Sequence, residues 1–252
     1  MTPRADPAHD KGKHPVQLQD FRVLTFDCYG TLIDWESGIL AALAPLLARL
    51  PAPPRRGDAL EAFARHESAQ EAATPAMPYP ALLAEVHRRL AEDWGIGPDP
   101  EVAARFGASV PDWPAFPDSA AALAELKQHY ELVILSNVDR HSFAASNRRL
   151  GVVFDAVFTA EEIGSYKPDP ANFRYLLARL AERGVRKEEI LHTAQSLYHD
   201  HVPARRAGLA TAWIDRRHGA DGFGATMPPG EDVPPDFRFP SLAAMAEARR
   251  AG

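Results

Sequence analysis

The 252-residue chain holds a single cysteine, Cys28. That excludes an internal disulfide and a cysteine-built metal site, and it fits a reducing cytoplasm. Excess positive charge is missing too, since 28 Lys plus Arg stand against 34 Asp plus Glu. This mild acidity argues against nucleic acid or an anionic membrane as partner. No apolar run approaches the roughly 20 residues of a membrane span, and the N-terminus carries no apolar signal core, so a soluble, cytoplasmic protein is expected. Internal repeats are also lacking. The length allows one core domain with an insertion and a substantial buried core.

Residues 1–19 are polar, with three prolines (positions 3, 7 and 15) and no periodicity, and read as a mobile tail. From Phe21 onward short apolar runs alternate with helical stretches. FRVLTFD (21–27), ELVILSN (131–137), VVFDAVF (152–158), EEILHTA (188–194) and LATAWID (209–215) read as strands. Unbroken apolar runs of this kind suit parallel strands buried on both faces. Helices are expected over 119–130, 141–151, 170–184 and 199–208, three of them stopping at glycine. The alternation predicts a doubly wound α/β sheet. Near the end, MPPGEDVPPDFRFP reads as a proline-rich loop with one short edge strand before a terminal helix.

Residues 36–112 contain no convincing strand but four helical stretches separated by proline-rich joints. An insertion after the first strand lies over the carboxyl ends of the sheet, where open α/β folds bind ligands. The expected organisation is therefore a core of residues 20–35 and 113–252 with a helical cap of residues 36–112.

Each strand end carries polar residues that packing alone does not require. Asp27 and Thr31 follow the first strand, and Ser136 and Asn137 the second. Lys167, in SYKPDP, follows the third, while Gln195, Ser196, His199 and Asp200 follow the fourth. In a parallel sheet these four loops share one edge and converge on one crevice. At such a crevice a lysine beside a carboxylate favours its charged form, so Lys167 is the expected neighbour that lowers the pKa of Asp27, with Thr31, Ser136 and Asn137 the expected hydrogen-bond donors.

DCYGTLID, the SN pair after a hydrophobic strand, YKPD and QSLYHD resemble, in order, the four motifs of the haloacid dehalogenase superfamily. The resemblance covers roughly residues 21–215 and implies a Rossmann-like core, an inserted cap and Asp27 as nucleophile. Phosphatases of that superfamily carry a general acid two residues after the nucleophile and an Mg²⁺-binding aspartate opening the fourth motif. Those positions are Tyr29 and Gln195 here. Halide leaves without a proton, so the pattern resembles the (S)-2-haloacid dehalogenase branch, with no metal or other cofactor expected.

By that resemblance Asp27 attacks C2 of a small 2-haloacid and water releases a 2-hydroxy acid. Ser136 and backbone amides near Tyr29 hold the substrate carboxylate, Asn137 and a cap arginine (Arg65 being nearest) hold the halide, and Lys167 and Asp200 serve nucleophile and water. Three positions depart from the branch: the arginine's surroundings, Phe173 in place of a tyrosine, and Gln195 and Leu197 in the fourth motif. His199 and His201 flank Asp200, where a histidine would orient water. Two other readings stand beside this one. One is an Mg²⁺-dependent phosphatase using Asp27 and Asp200; the other is a silent descendant that binds a small carboxylate or a protein. A homodimer is expected from the same resemblance.

Overall fold

The computed structural model describes residues 16–252. The expected tail lies outside the described residues up to position 15. At Leu18–Asp20 the chain already forms a 3₁₀ turn that buries Leu18, and the Leu18 carbonyl accepts a hydrogen bond from Tyr130 Oη at 2.9 Å. The expected tail therefore ends early, because Leu18 and Phe21 give the polar segment an apolar anchor.

Six parallel strands form one sheet in the order β3-β2-β1-β4-β5-β6. They are β1 (Val23–Phe26), β2 (Glu131–Ser136), β3 (Ala156–Thr159), β4 (Ile190–Ala194), β5 (Ala210–Ile214) and β6 (Phe237–Phe239). Alternation along β1 and β2 supplies both faces. Leu24, Phe26, Leu132 and Ile134 join one apolar cluster, while Val23, Val133 and Leu135 join the other.

Four cap helices leave from the end of β1: α1 (Trp35–Leu47), α2 (Arg56–Ala73), α3 (Tyr79–Asp93) and α4 (Pro100–Gly107). The core helices follow as α5 (Ser119–Leu126), α6 (Arg140–Leu150), α7 (Ala160–Ile163), α8 (Pro170–Glu182), α9 (Val202–Arg206) and α10 (Leu242–Ala251). α5, α6 and α10 cover the first face of the sheet, and α8 and α9 the second. With both faces buried, the strands need no polar alternation. Among the described residues no helix is long and apolar enough to cross a membrane.

Two expected elements differ. The run 152–158 forms a strand only from Ala156, because at its start Val153 is 82% exposed and Asp155 turns to accept the Leu132 N–H at 2.7 Å. The helix expected over 199–208 begins instead as a π-helical turn, Leu197–His201, capped by Ser196 Oγ accepting from the His199 N–H. That wide turn buries His199, Asp200 and His201 together.

The outgoing and returning linkers of the insertion lie side by side. Ile33 bridges Ala115, Asp34 N–H donates to Pro114 O at 2.8 Å, and Phe116 N–H donates to Leu32 O at 3.1 Å. Asp34 caps α1 by accepting from the Ser37 N–H, so the helix starts where the linker ends. Cap and core share one apolar cluster through Tyr29, Trp35 and Trp113.

Within the cap, α4 lies so close to α3 that a Cβ on Gly107 would stand 2.2 Å from the Pro80 carbonyl oxygen. Gly57, in the first turn of α2, has no atom within 4 Å of such a Cβ. Alanine gains up to about 1 kcal/mol over glycine inside a helix, while overpacking against backbone costs about 1–3 kcal/mol. Gly107→Ala is therefore expected to lower the midpoint of urea unfolding and Gly57→Ala to raise it slightly. Equal effects of one sign would contradict the close packing of α3 on α4.

Candidate active site

Asp27 follows β1 and is still tied to the sheet through its N–H, which donates to Thr193 O at 3.1 Å. The chain then folds back tightly, Cys28 O accepting from the N–H groups of Leu32 and Ile33. Gly30 stands at φ +91°, where a side chain would be strained and would meet Trp35 and Gln195. This turn presents Thr31 to the nucleophile. Thr31 Oγ1 donates to Asp27 Oδ2 at 2.7 Å and accepts from the Gln195 N–H at 2.9 Å.

Lys167 arrives from the loop after α7, its ammonium almost wholly buried. It donates to Asp27 Oδ1 at 3.0 Å, Leu135 O at 3.0 Å and Asp200 Oδ1 at 2.6 Å. An ammonium has three N–H bonds, and all three are used. Asp200 Oδ1 also meets His192 Nε2 at 2.9 Å, and His192 Nδ1 pairs with Thr25 Oγ1 at 2.8 Å. Asp200 Oδ2 is buried without a partner.

Burial raises Asp27 above the ordinary carboxylate value, and the Lys167 charge opposes it without prevailing. The expected net lowering is thus reversed, since complete desolvation outweighs one shared cation. Both Asp27 oxygens nonetheless accept hydrogen bonds, the pattern of a carboxylate. Burial also pushes Asp200 up, but Lys167 and His192 outweigh it and hold Asp200 well below the usual range. Burial works against the Lys167 charge, and the two aspartates overcome it, holding Lys167 above its ordinary value.

The opposite wall comes from the cap. Glu67 and Glu71, one turn apart on α2, are buried over the nucleophile and line a chamber of about 30 Å³ together with Asp27, Lys167, His199 and Asp200. Tyr79 Oη donates to Glu67 Oε1 at 2.6 Å. Asn137 Nδ2 donates to Glu71 Oε1 at 3.0 Å, leaving Glu71 Oε2 unpartnered at 3.6 Å from His199 Nε2. Burial, with Glu71 adding to it, pushes Glu67 up to about 8. Burial likewise pushes Glu71 up to about 8 against the pull of Asn137 and Lys167. Burial pushes His199 down, which disfavours its imidazolium form, just as it favours the protonated form of the two acids.

Of the residues expected at the site, Asp27, Tyr29, Asn137, Lys167, Ser196, His199 and Asp200 line the chamber, and Thr31 touches Asp27 from behind. Ser136 Oγ is buried at the end of β2 without a partner. Arg65 does not join them. It is exposed on α2, and the face it was expected to occupy carries Glu67 and Glu71. Gln195 lies in a neighbouring cavity of about 430 Å³, with Gly30, Arg56 and Arg216, on the far side of Trp35. Asn137 offers a halide no free donor, since its amide N–H groups hold Lys167 O at 2.9 Å and Glu71. Tyr29 Oη is bound to Ser146 Oγ at 2.9 Å, and burial pushes its phenol well above the ordinary value. His201 is structural: Nε2 bonds Ala194 O, and burial drives its pKa down to about 4.

Sequence reasoning missed Glu67, Glu71, Tyr79 and His192. The signal for the glutamates was present, because they continue at helical spacing the apolar face begun by Leu60 and Phe63. An acid on the buried face of a helix needs a reason. His192 announced itself less, as one polar residue inside an apolar strand.

Residues 21–194 match the sequence model of the haloacid dehalogenase-like hydrolases, and the chain belongs to that family. It is 24% identical over 208 residues to the (S)-2-haloacid dehalogenase 4A of Burkholderia cepacia, a match covering 79% of this chain and 85% of that one. It is 29% identical over 164 residues to the phosphoserine phosphatase of Thermus thermophilus, over 62% of this chain and 61% of that one's length. The L-2-haloacid dehalogenase of Xanthobacter autotrophicus, solved with chloropropionic acid covalently bound, shares the fold. Its TM-score is 0.72 at 21% identity, over 91% of this chain and 98% of the other.

The two glutamates make stability depend on pH. Their folded pKa values, about 8, lie above the ordinary glutamate value of 4.5. Their burial therefore stabilises fully below the unfolded value and is lost as pH rises toward and through about 8. The Glu67→Gln/Glu71→Gln double variant should gain on the wild type between pH 5 and 8.5, by on the order of a few kcal/mol. Urea unfolding at the two pH values measures this, and parallel shifts of both proteins would exclude buried protonated acids.

Proposed function

We propose that this chain hydrolyses small 2-haloacids to 2-hydroxy acids through a covalent ester on Asp27, without a metal ion. The observation that carries the reading is the state of Asp27. Both of its oxygens are fixed by donors, Lys167 and Thr31. The two positions that would serve phosphoryl transfer hold a phenol bonded elsewhere and an amide in another cavity. A fixed carboxylate is a competent nucleophile toward saturated carbon. Without an acid at position 29, an alkoxide leaving from phosphorus lacks its proton from the core.

The attacking Asp27 oxygen bonds to C2, and the carbon–halogen electron pair departs with the halide. Water then adds to the Asp27 carbonyl carbon, and the ester collapses to the free carboxylate and the product. The unpartnered Asp200 Oδ2 is an acceptor available to that water, and His199 Nε2 beside it is likewise unpartnered. The family resemblance assigns the substrate carboxylate to Ser136 Oγ, which is buried without a partner at the end of β2. Burial favours the protonated form of Glu67 and Glu71, which lessens the repulsion of an anion by the acid-lined wall. A chamber of about 30 Å³ holds about one water, so entry requires the cap or Trp35 to move.

The residues do not fit Mg²⁺ well. Among the described residues no group of three or more His, Cys, Asp or Glu side chains is arranged to hold a metal ion. Gln195 brings a neutral amide where Mg²⁺ favours carboxylates.

Chloride release from 2-chloropropionate in EDTA tests the proposal. Turnover is expected to persist, to fall at least about 10³-fold in Asp27→Asn, and to place ¹⁸O from labelled water in Asp27 during a single turnover. Phosphate release that requires Mg²⁺, with no halide released, would replace this reading with the phosphatase.

A further inference from the structure

Resting on the dehalogenase reading, we infer that the preferred substrate is a 2-haloacid carrying an ammonium group close to C2, and that Glu71, His199 and Asp200 hold that group. The inference starts from three polar atoms that have nothing to bind. Glu71 Oε2, His199 Nε2 and Asp200 Oδ2 line one chamber and have no hydrogen-bond partner, although buried polar atoms ordinarily find one. Their residues are only 5%, 7% and 0% exposed, so bulk water does not serve them. His199 Nδ1 lies 3.3 Å from Ser196 Oγ and 3.4 Å from Thr226 Oγ1. Those hydroxyls can accept its N–H, which leaves the lone pair of the uncharged ring at Nε2. All three atoms then call for a donor.

The chamber has few donors to offer. Among the described residues that line it, Lys167 is the one lysine or arginine, and its three N–H bonds go to Asp27, Leu135 O and Asp200. Asn137 Nδ2 serves Glu71 and Lys167 O. The Tyr29 and Tyr79 hydroxyls face Ser146 and Glu67. With Asp27 ionised for attack, two carboxylates stand against one ammonium before either glutamate ionises. A 2-haloacid adds a further negative charge. An ammonium on the same molecule cancels that charge and brings three N–H donors to three acceptors.

The spacing suits a single nitrogen. Glu71 Oε2 and His199 Nε2 are 3.6 Å apart, too far to bond each other, and a nitrogen about 2.8 Å from both spans the gap. Burial pushes Glu67 and Glu71 up to about 8, Glu71 adding to the effect on Glu67. A cation beside them favours their charged forms, so the bound ammonium and an ionised cap acid stabilise each other. A neutral hydroxyl would satisfy fewer acceptors and leave the substrate carboxylate uncompensated.

The test compares 2-chloropropionate, 2-chloro-3-hydroxypropionate and 3-amino-2-chloropropionate, with chloride release followed at neutral pH against enzyme-free controls. The wild type is expected to show kcat/KM at least about 30-fold higher on the amino compound than on either of the others, the loss usual when one partner of a buried charge pair is removed. Glu71→Gln keeps the acceptor for Asn137 but replaces the free oxygen by a donor, and is expected to erase most of that preference. A smaller preference in the wild type, parity with the hydroxyl compound, or a preference that Glu71→Gln leaves unchanged overturns the ammonium site and leaves the dehalogenase reading standing.

If none of the three compounds releases chloride, the dehalogenase reading fails and the site is judged by binding alone. Lactate and 3-amino-2-hydroxypropionate, which differ only in the ammonium, are then compared by isothermal titration. Tighter binding of the amino compound that is lost in Glu71→Gln sustains the site. Equal binding, or none, overturns it as well.

Discussion

Everything at the site is organised around one buried ammonium. Lys167 has no contact with water, so its charge is tolerable only because two carboxylates and a backbone carbonyl surround it. Those partners come from the ends of three different strands. A buried cation of this kind is a weak source of net stability, since desolvation consumes most of the Coulomb gain. Its value is positional. It draws the ends of β1, β2 and β4 together and holds Asp27 in one orientation, with His192 and Thr25 bracing Asp200 from below.

Much of this was legible in the sequence. The apolar runs located five strands, and the parallel order followed from strand–helix alternation. The convergence of Asp27, Lys167 and Asp200 followed from their places at strand ends, because a parallel sheet brings those ends to one edge. The side chains were legible where topology alone determined them. The 152–158 run misled because an apolar stretch crossing the sheet edge has the composition of a strand, although Val153 faces solvent.

The cap was harder to read for a physical reason. Helix α2 buries Glu67, Gln70 and Glu71 alongside Leu60 and Phe63, so polar residues stand on both its faces and its periodicity blurs. Which residue of a helix meets the nucleophile depends on the rotation of the helix about its own axis. No local signal fixes that rotation. Arg65 and Glu67 are two positions apart, so they point to different sides of the same helix, and the chemistry at the site changes sign with that choice.

The paired linkers have a mechanical consequence. Cap and core cross at two adjacent points, Ile33–Asp34 and Pro114–Phe116, which are bonded to each other. Linkers paired along one such strip favour a hinged opening over a slide. Glu67 and Glu71, one turn apart on α2, would then leave Asp27 together, and their own burial depends on the closed position. An ajar door wets them, and a wetted glutamate gives up its proton near pH 4 to 5. Exclusion of solvent and protonation of the two acids are thus one and the same condition, the closed cap.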